Sequence, residues 1–256
     1  KKVVLGMIHL GAMPGTPFYE EGSYEATFEK ALADARALFE GGADGCLVQT
    51  VDRVYLPTDE TDPARVAGVA NIVRAIDKAT GPEFQIGVQI MRNALKASLA
   101  VAKVCNGSYL RCGALVGATL TAHGMVEANP YEVLQYRNTI GARHVKLIAE
   151  IDSMHLEWFG GKPVAEIARS AKTAGAAAVS LGNPDEDTTL QMIADVRRAV
   201  PGLPVILAGY TNHANAARML AEADGAFVGT CLERDGWGGS IDIDRVREYV
   251  SIVAAL

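Results

Sequence analysis

Pro204-Val-Ile-Leu-Ala-Gly-Tyr-Thr-Asn-His-Ala-Asn215 and, shortly after it, Ala223-Asp-Gly-Ala-Phe-Val-Gly-Thr230 decide how this chain folds. Each holds a short apolar run that stops at a glycine, Gly209 in the first and Gly229 in the second. The first run leads into a polar turn at Asn212, from which a helix is predicted over His213–Ala221. Glycines at such strand ends let backbone N–H groups approach an anion closely, and a helix N-terminus adds partial positive charge. Two consecutive units of this kind are what an eightfold strand–helix barrel places after its seventh and eighth strands to cradle a phosphate.

Working outward, the same unit repeats along the whole chain. Strands are predicted at Val3–His9, Gly45–Thr50, Phe84–Met91, Tyr109–Gly113, Val145–Ile151, Ala177–Leu181, Val205–Ala208 and Ala226–Val228. They are near-continuous runs of Val, Ile, Leu and Ala, the pattern of parallel strands buried on both faces. Helical periodicity fills the gaps at Tyr24–Glu40, Pro63–Ala79, Asn93–Cys105, Pro130–Ile140, Pro163–Thr173, Thr188–Val200, His213–Ala221 and Ile243–Ala254. Asp62-Pro63 and Asn129-Pro130 place an N-cap before a first-turn proline, and Asp187 and Asn212 are further cap candidates. The expectation is an α/β chain forming a single (β/α)8 TIM barrel over residues 1–256. A doubly wound open sheet is the weaker alternative, because the phosphate signal sits in the last two units and not the first.

The long connections follow strands one, two, four and five: Leu10–Ser23, Val51–Asp62, Ala114–Asn129 and Asp152–Lys162. All lie past strand C-termini, the face where barrels of this kind carry their sites.

Bulk properties narrow the function. The 256 residues hold 24 Lys and Arg against 30 Asp and Glu, a formal net charge of −6, with no basic block. Nucleic acid is therefore not an expected partner. No apolar run approaches membrane-spanning length, so no transmembrane segment is expected. Cys46, Cys105, Cys112 and Cys231 lie far apart, with no paired spacing, and read as reduced thiols of a cytoplasmic protein.

Gly6-Met-Ile-His-Leu-Gly-Ala-Met-Pro-Gly-Thr-Pro17, the block Gly209–Asn215, Ala223–Thr230 and Arg234-Asp-Gly236 resemble the opening and closing signatures of the BtpA/SgcQ family. Met91-Arg-Asn93, Arg111, Gly117-Ala118, Gly124 and Tyr136-Arg137 fit in order between them. The resemblance implies a barrel of the ribulose-phosphate-binding type. It also implies a role in photosystem I biogenesis or in sugar operons, with a nucleosidase-like activity suggested for the latter. Three stretches depart from the family pattern. Thr121-Ala-His-Gly124 lacks an acidic residue, Glu150 stands where Asp is usual with Met154-His155 after it, and Gln49-Thr-Val-Asp-Arg-Val-Tyr55 replaces an acidic Asn-Phe-Gly stretch. The phosphate end is thus kept while the reacting end differs.

The residues themselves suggest the chemistry. His9 ends the first strand and is expected at the barrel mouth as a general acid or base, with a core histidine bonded to a carbonyl as the alternative. Glu150 and Asp152 are spaced to face the same way, so crowding of like charge would raise the pKa of one. Alternatively, one of the two carboxylates forms a structural ion pair with Lys146 or Arg111, or either of them, Asp152 or Glu150, ligates a divalent metal with His155. No cofactor is required by the sequence. Arg92 and Arg111 are expected to contact a phosphate or carboxylate, and Asn93 to cap the third helix. Gly182, Gly209, Asn212, Gly229 and Thr230 are expected to hold the phosphate. Tyr55, Asp59, Trp158 and Trp237 are expected over the mouth as a lid or a subunit contact.

The function expected is that of an enzyme acting on a small phosphorylated sugar or nucleoside, as a lyase, nucleosidase or isomerase. His9, Glu150 and Asp152 would be the catalytic groups, and homo-oligomers are expected. The rival expectation is a non-catalytic assembly or regulatory factor that retains the phosphate site.

Overall fold

A computed structural model describes all residues, Lys1–Leu256. In chain order the elements are β1 (Val3–Leu10), α1 (Ser23–Glu40), β2 (Gly45–Thr50), α2 (Pro63–Thr80), β3 (Gln85–Gln89), α3 (Leu95–Val104) and β4 (Tyr109–Cys112). There follow β5 (Ala118–Thr121), β6 (Gly124–Glu127), α4 (Pro130–Thr139), β7 (Lys146–Asp152), α5 (Val164–Thr173), β8 (Ala178–Leu181) and α6 (Glu186–Ala199). The last elements are β9 (Val205–Leu207), α7 (Ala216–Glu222), β10 (Gly225–Val228) and α8 (Ile243–Ala254). Eight strands close into a barrel in the order β1-β10-β9-β8-β7-β4-β3-β2, every pair parallel, and eight helices alternate with them. The predicted (β/α)8 barrel is therefore what the chain forms.

Alternation along the strands divides two cores. Outward side chains such as Ile8, Val48, Ile86, Leu110, Leu147 and Ile151 pack with the helices in one large apolar cluster. Inward side chains form a smaller plug of Leu5, Met7, Leu47, Tyr109, Ile148, Ala178, Ile206 and Phe227. Tyr109 spans this plug and donates its hydroxyl to the Cys46 carbonyl at 2.7 Å. Position 87 must be glycine for that, because a Cβ there would overlap the Tyr109 ring. The barrel interior is filled from below, and whatever the protein binds must sit above the plug.

Local signals act largely as expected. Asp62 caps α2 through the Ala64 N–H and Asn129 caps α4 through the Glu132 N–H, each with proline next. Three details are corrected. Helix α6 is capped by Asp185, which accepts from the Thr188 N–H at 2.7 Å, and not by Asp187. Helix α7 begins at Ala216, three residues later than predicted, because Asn212 closes a turn on Ala214 and Asn215 first. The connection after β4 is an antiparallel hairpin, β5–β6, where an open loop was expected.

Candidate functional site

Directly above the plug, the next inward positions are polar: His9 on β1, Gln49 on β2, Gln89 on β3, Arg111 on β4, Glu150 on β7 and Ser180 on β8. Register sets His9, Gln49 and Gln89 side by side, and Glu150 beside Ser180. Parallel pairing thus turns six separate sequence positions into one polar layer at the mouth. It has two unlike halves.

The half on β2, β3, β4 and β7 is a narrow chamber with a cavity of about 10 Å³, lined by Gln49, Gln89, Arg92, Arg111, Glu150 and His155 and bordered by Thr119, Val126 and Leu156. Gln49 donates to Gln89 at 2.7 Å. Arg111 donates to Glu150 at 3.0 Å, with both side chains about 95% buried, and the Ser153 hydroxyl donates to the same carboxylate oxygen. Of the two alternatives for Glu150, the structure therefore places it in an ion pair with Arg111; Lys146 lies at the other end of β7 and is exposed. Arg92, carried just past β3, lies over the Tyr55 ring at 4.8 Å. Burial lowers its pKa, and Glu150 and Arg111 both act on it. Asn93 does not cap α3; it brackets Ala114 through both backbone groups and so ties the start of the hairpin segment to β3.

Asp152 follows a bulge in β7, so it does not share the Glu150 environment. Its pKa is raised, by burial first and by Glu157 second, and not by crowding against Glu150 as the sequence suggested. It acts on Tyr210, which places it toward the second half. His155 stands at the chamber rim, its pKa lowered by burial and then by Arg92. No group of three or more His, Cys, Asp or Glu side chains converges to hold a metal ion.

The other half, on β8, β9, β10 and β1, is open and built from backbone. Gly209 has φ +128° and nothing within 4 Å of where a Cβ would stand, and Tyr210 follows at φ +61°. The N–H groups of Gly209, Tyr210, Thr211 and Gly229 donate to no acceptor in the protein. Successive free N–H groups in a turn of this kind form an anion-binding concavity. Helix α7 contributes less than expected. Asn212 N–H donates to the Asn215 side chain, and the N–H groups of Ala214 and Asn215 donate to Asn212. Asn212 therefore shapes the turn, and the free donors lie before it. Gly182 closes the corner against the Tyr210 ring, and Thr230 stands exposed at the start of the short turn after β10.

His9 lies at this open half. Its ring carbon comes 3.6 Å from the position a Gly229 Cβ would occupy. Nδ1 lies 3.2 Å from Glu233 Oε1, a carboxylate only 2% exposed that also accepts the Gly238 N–H at 2.8 Å. The Trp237 ring packs on the imidazole at 5.7 Å between centroids. Glu233 belongs to this candidate site and was not read from the sequence, although it directly precedes the Arg234-Asp-Gly236 block. Ser180, Gln89 and Tyr210 were missed as well. Counting inward positions by twos from the strand ends would have found the first two. His213 bonds the Arg245 carbonyl at 2.9 Å and packs on Tyr249, whose hydroxyl meets the Thr211 side chain.

A model of the BtpA family matches residues 1–255. The Photosystem I biogenesis protein BtpA of Synechocystis sp. is 26% identical over 259 residues, covering 98% of this chain and 88% of its own. Among solved structures, tryptophan synthase subunit alpha of Legionella pneumophila superposes with a TM-score of 0.64 at 14% identity, over 100% of this chain and 94% of that one. N-(5'-phosphoribosyl)anthranilate isomerase of Pyrococcus furiosus does so with a TM-score of 0.57 at 16% identity, over 100% of both chains. At these identities the structural likeness is one of fold.

Proposed function

The chain belongs to the BtpA family, and from that premise we propose that it is an enzyme acting on a small phosphorylated sugar or nucleoside. The observation that carries this reading is the adjacency of His9 to the open corner: free N–H groups at Gly209–Thr211 and Gly229, with the imidazole 3.6 Å from the Gly229 Cβ position. The corner would take the phosphate on backbone donors, with Gly182 giving room and Thr230 adding a hydroxyl. The phosphoribosyl group in the isomerase's name fits a ligand of this kind.

Glu233 fixes the imidazole by accepting from Nδ1–H, which leaves Nε2 as the base. After proton uptake the same carboxylate stabilises the imidazolium. Asp152, with its raised pKa, is the second proton carrier, approaching from β7. Glu150 leaves the catalytic set in this reading and instead orients Arg111. Proton transfer at a sugar carbon supports isomerisation or lyase-type cleavage, and proton donation to a leaving group supports nucleosidase-type cleavage. The exposed Val54, Leu56, Phe159 and Trp237 support self-association through the top loops, and free cysteines, three of them buried, suit a reducing compartment.

The test is His9→Gln assayed on ribose 5-phosphate, other sugar phosphates and nucleoside monophosphates. Turnover should fall by about 10²–10⁴-fold while stabilisation by phosphate persists. Unchanged turnover removes His9 from the mechanism. A second reading, a ligand-sensing assembly factor, draws on the name of the Synechocystis relative. Thermal stabilisation by phosphate compounds with no product from any of them would favour it.

A further inference from the structure

The chamber beneath the hairpin holds an uneven set of charges. Arg111, 5% exposed, is neutralised by Glu150. Arg92 lines the same space with an aromatic ring, and no carboxylate, as its close neighbour. The Nε atoms of both arginines are buried without a partner, and so is the Ser180 hydroxyl, on a residue with no exposed surface. Other carboxylates nearby are already engaged or face elsewhere. Asp52 pairs with Arg65, and Asp152 sits past the β7 bulge toward Tyr210. Two guanidiniums therefore share one carboxylate in a space closed from bulk water on one side by Thr119, Val126 and Leu156. A half-buried guanidinium without a counter-ion is unfavourable until an anion reaches it.

The anion that matches is planar and small. A guanidinium presents parallel N–H groups that fit a carboxylate two at a time. The chamber's free space, about 10 Å³, is water-sized, so a single carboxylate oxygen enters it while the rest of the ligand stays at the mouth beside Arg92. Its position also matters. It opens on β2, β3, β4 and β7, across the mouth from the free donors that follow β9 and β10. One phosphate cannot satisfy both.

Building on the reading that the corner past β8, β9 and β10 holds a phosphate, we infer that the substrate is a phosphorylated carboxylic acid. Its carboxylate binds at Arg92 and Arg111 while its phosphate rests at Gly209 and Gly229. Ser180, on the floor between the halves, has a free hydroxyl for an oxygen on the connecting carbon chain.

The experiment compares matched probes by calorimetry on the intact protein: glycerol 3-phosphate against 3-phosphoglycerate, and ribose 5-phosphate against 5-phosphoribonate. In at least one pair the acid should bind about tenfold or more tighter, the gain of charge-assisted hydrogen bonds. Arg92→Met should erase that gain and leave the affinity of the member without a carboxylate unchanged. Without ligand the variant should melt close to the parent, since the stacking it loses on Tyr55 is offset by removal of a half-buried cation with no carboxylate of its own. Arg92→Lys, which keeps the charge but not the planar fork, should retain part of the gain and serves if the methionine variant misfolds. Equal affinities within both pairs overturn the inference and leave the phosphate site standing. So does an Arg92→Met variant that weakens both members of a pair equally, since Arg92 then serves the phosphate. If malonate binds in an Arg92-dependent way and no phosphate compound binds, the phosphate reading falls and with it the substrate class. If nothing binds, both fall.

Discussion

The two halves of the barrel mouth solve opposite problems with the same scaffold. On β2, β3, β4 and β7, long polar side chains reach inward, pair with one another and lie under a hairpin. On β8, β9 and β10, the inward positions shrink to Ser180, Gly182, Ala208 and Gly229, and the backbone itself is left to face solvent. Side-chain chemistry can be rewritten by substitution, and the three stretches that the sequence reading set apart from the family pattern fall on that half, at Gln49–Tyr55, Thr121–Gly124 and Glu150–His155. Backbone donors depend on glycines and turn geometry, which tolerate little change. The difference suggests that the glycine half fixes a shared ligand group while the chamber half sets what is attached to it.

The largest effect that would break this contrast is on stability. Glu150→Leu would leave Arg111 and Arg92 both without a counter-ion in a largely dry space. Loss of one partner from a buried pair costs about 3–5 kcal/mol, so chemical denaturation should show a loss of that order. A cost below about 1 kcal/mol would mean that water reaches the guanidiniums, and the chamber would be no more enclosed than the corner opposite. Next is Gly209→Ala. Nothing crowds a Cβ there, so the penalty is purely conformational, about 1–3 kcal/mol for a non-glycine residue held at φ +128°. Phosphate-induced stabilisation should fall with it. An alanine variant that keeps both stability and phosphate response would show that the corner does not depend on this turn.

How much of this the residues disclosed follows the same division. The barrel was legible because each strand is a short apolar run and each helix has its own cap or stop, signals that are local. The glycine half was legible for the same reason: Gly209 and Gly229 announce their backbone conformations in sequence. The chamber was not. The sequence offered Arg111 for Glu150 only as one of two partners, and that Glu233 lies under His9 and Gln49 bonds Gln89 are consequences of register between segments far apart in the chain. The β5–β6 hairpin escaped because Ala118–Thr121 and Gly124–Glu127 are too short to show alternation against a Gly-rich background. The start of α7 was misjudged because Asn212 looks like a helix cap, and in sequence a cap and an Asx turn are alike.

Within the open half, Glu233→Gln sharpens the comparison at lower cost. Glutamine still accepts the Gly238 N–H but loses its charge toward His9, so stability should drop by only about 1 kcal/mol. Turnover should fall, because the imidazolium formed during the reaction no longer has a carboxylate to stabilise it. If the loss matches that of Glu150→Leu, Glu233 is a structural anchor comparable to the chamber pair and not a partner of the imidazole.

The smallest expected effect concerns Asp152, which stands between the halves. Its pKa is raised above the usual 3.8, by burial first and by Glu157 second. An acid whose folded pKa exceeds its unfolded value holds its proton longer in the native state. Its destabilising influence is therefore absent below about pH 3.8, grows as pH rises above that value, and is complete once pH has passed the folded pKa. Asp152→Asn removes the titration. Its melting temperature relative to the parent should accordingly be equal or slightly higher at pH 7, and this advantage should vanish toward pH 3.5. A variant less stable than the parent at pH 7 would mean that the carboxylate is stabilised where it lies, by a donor on one of the two halves. Asp152 would then be part of the fixed framework and not a group that exchanges protons with a ligand.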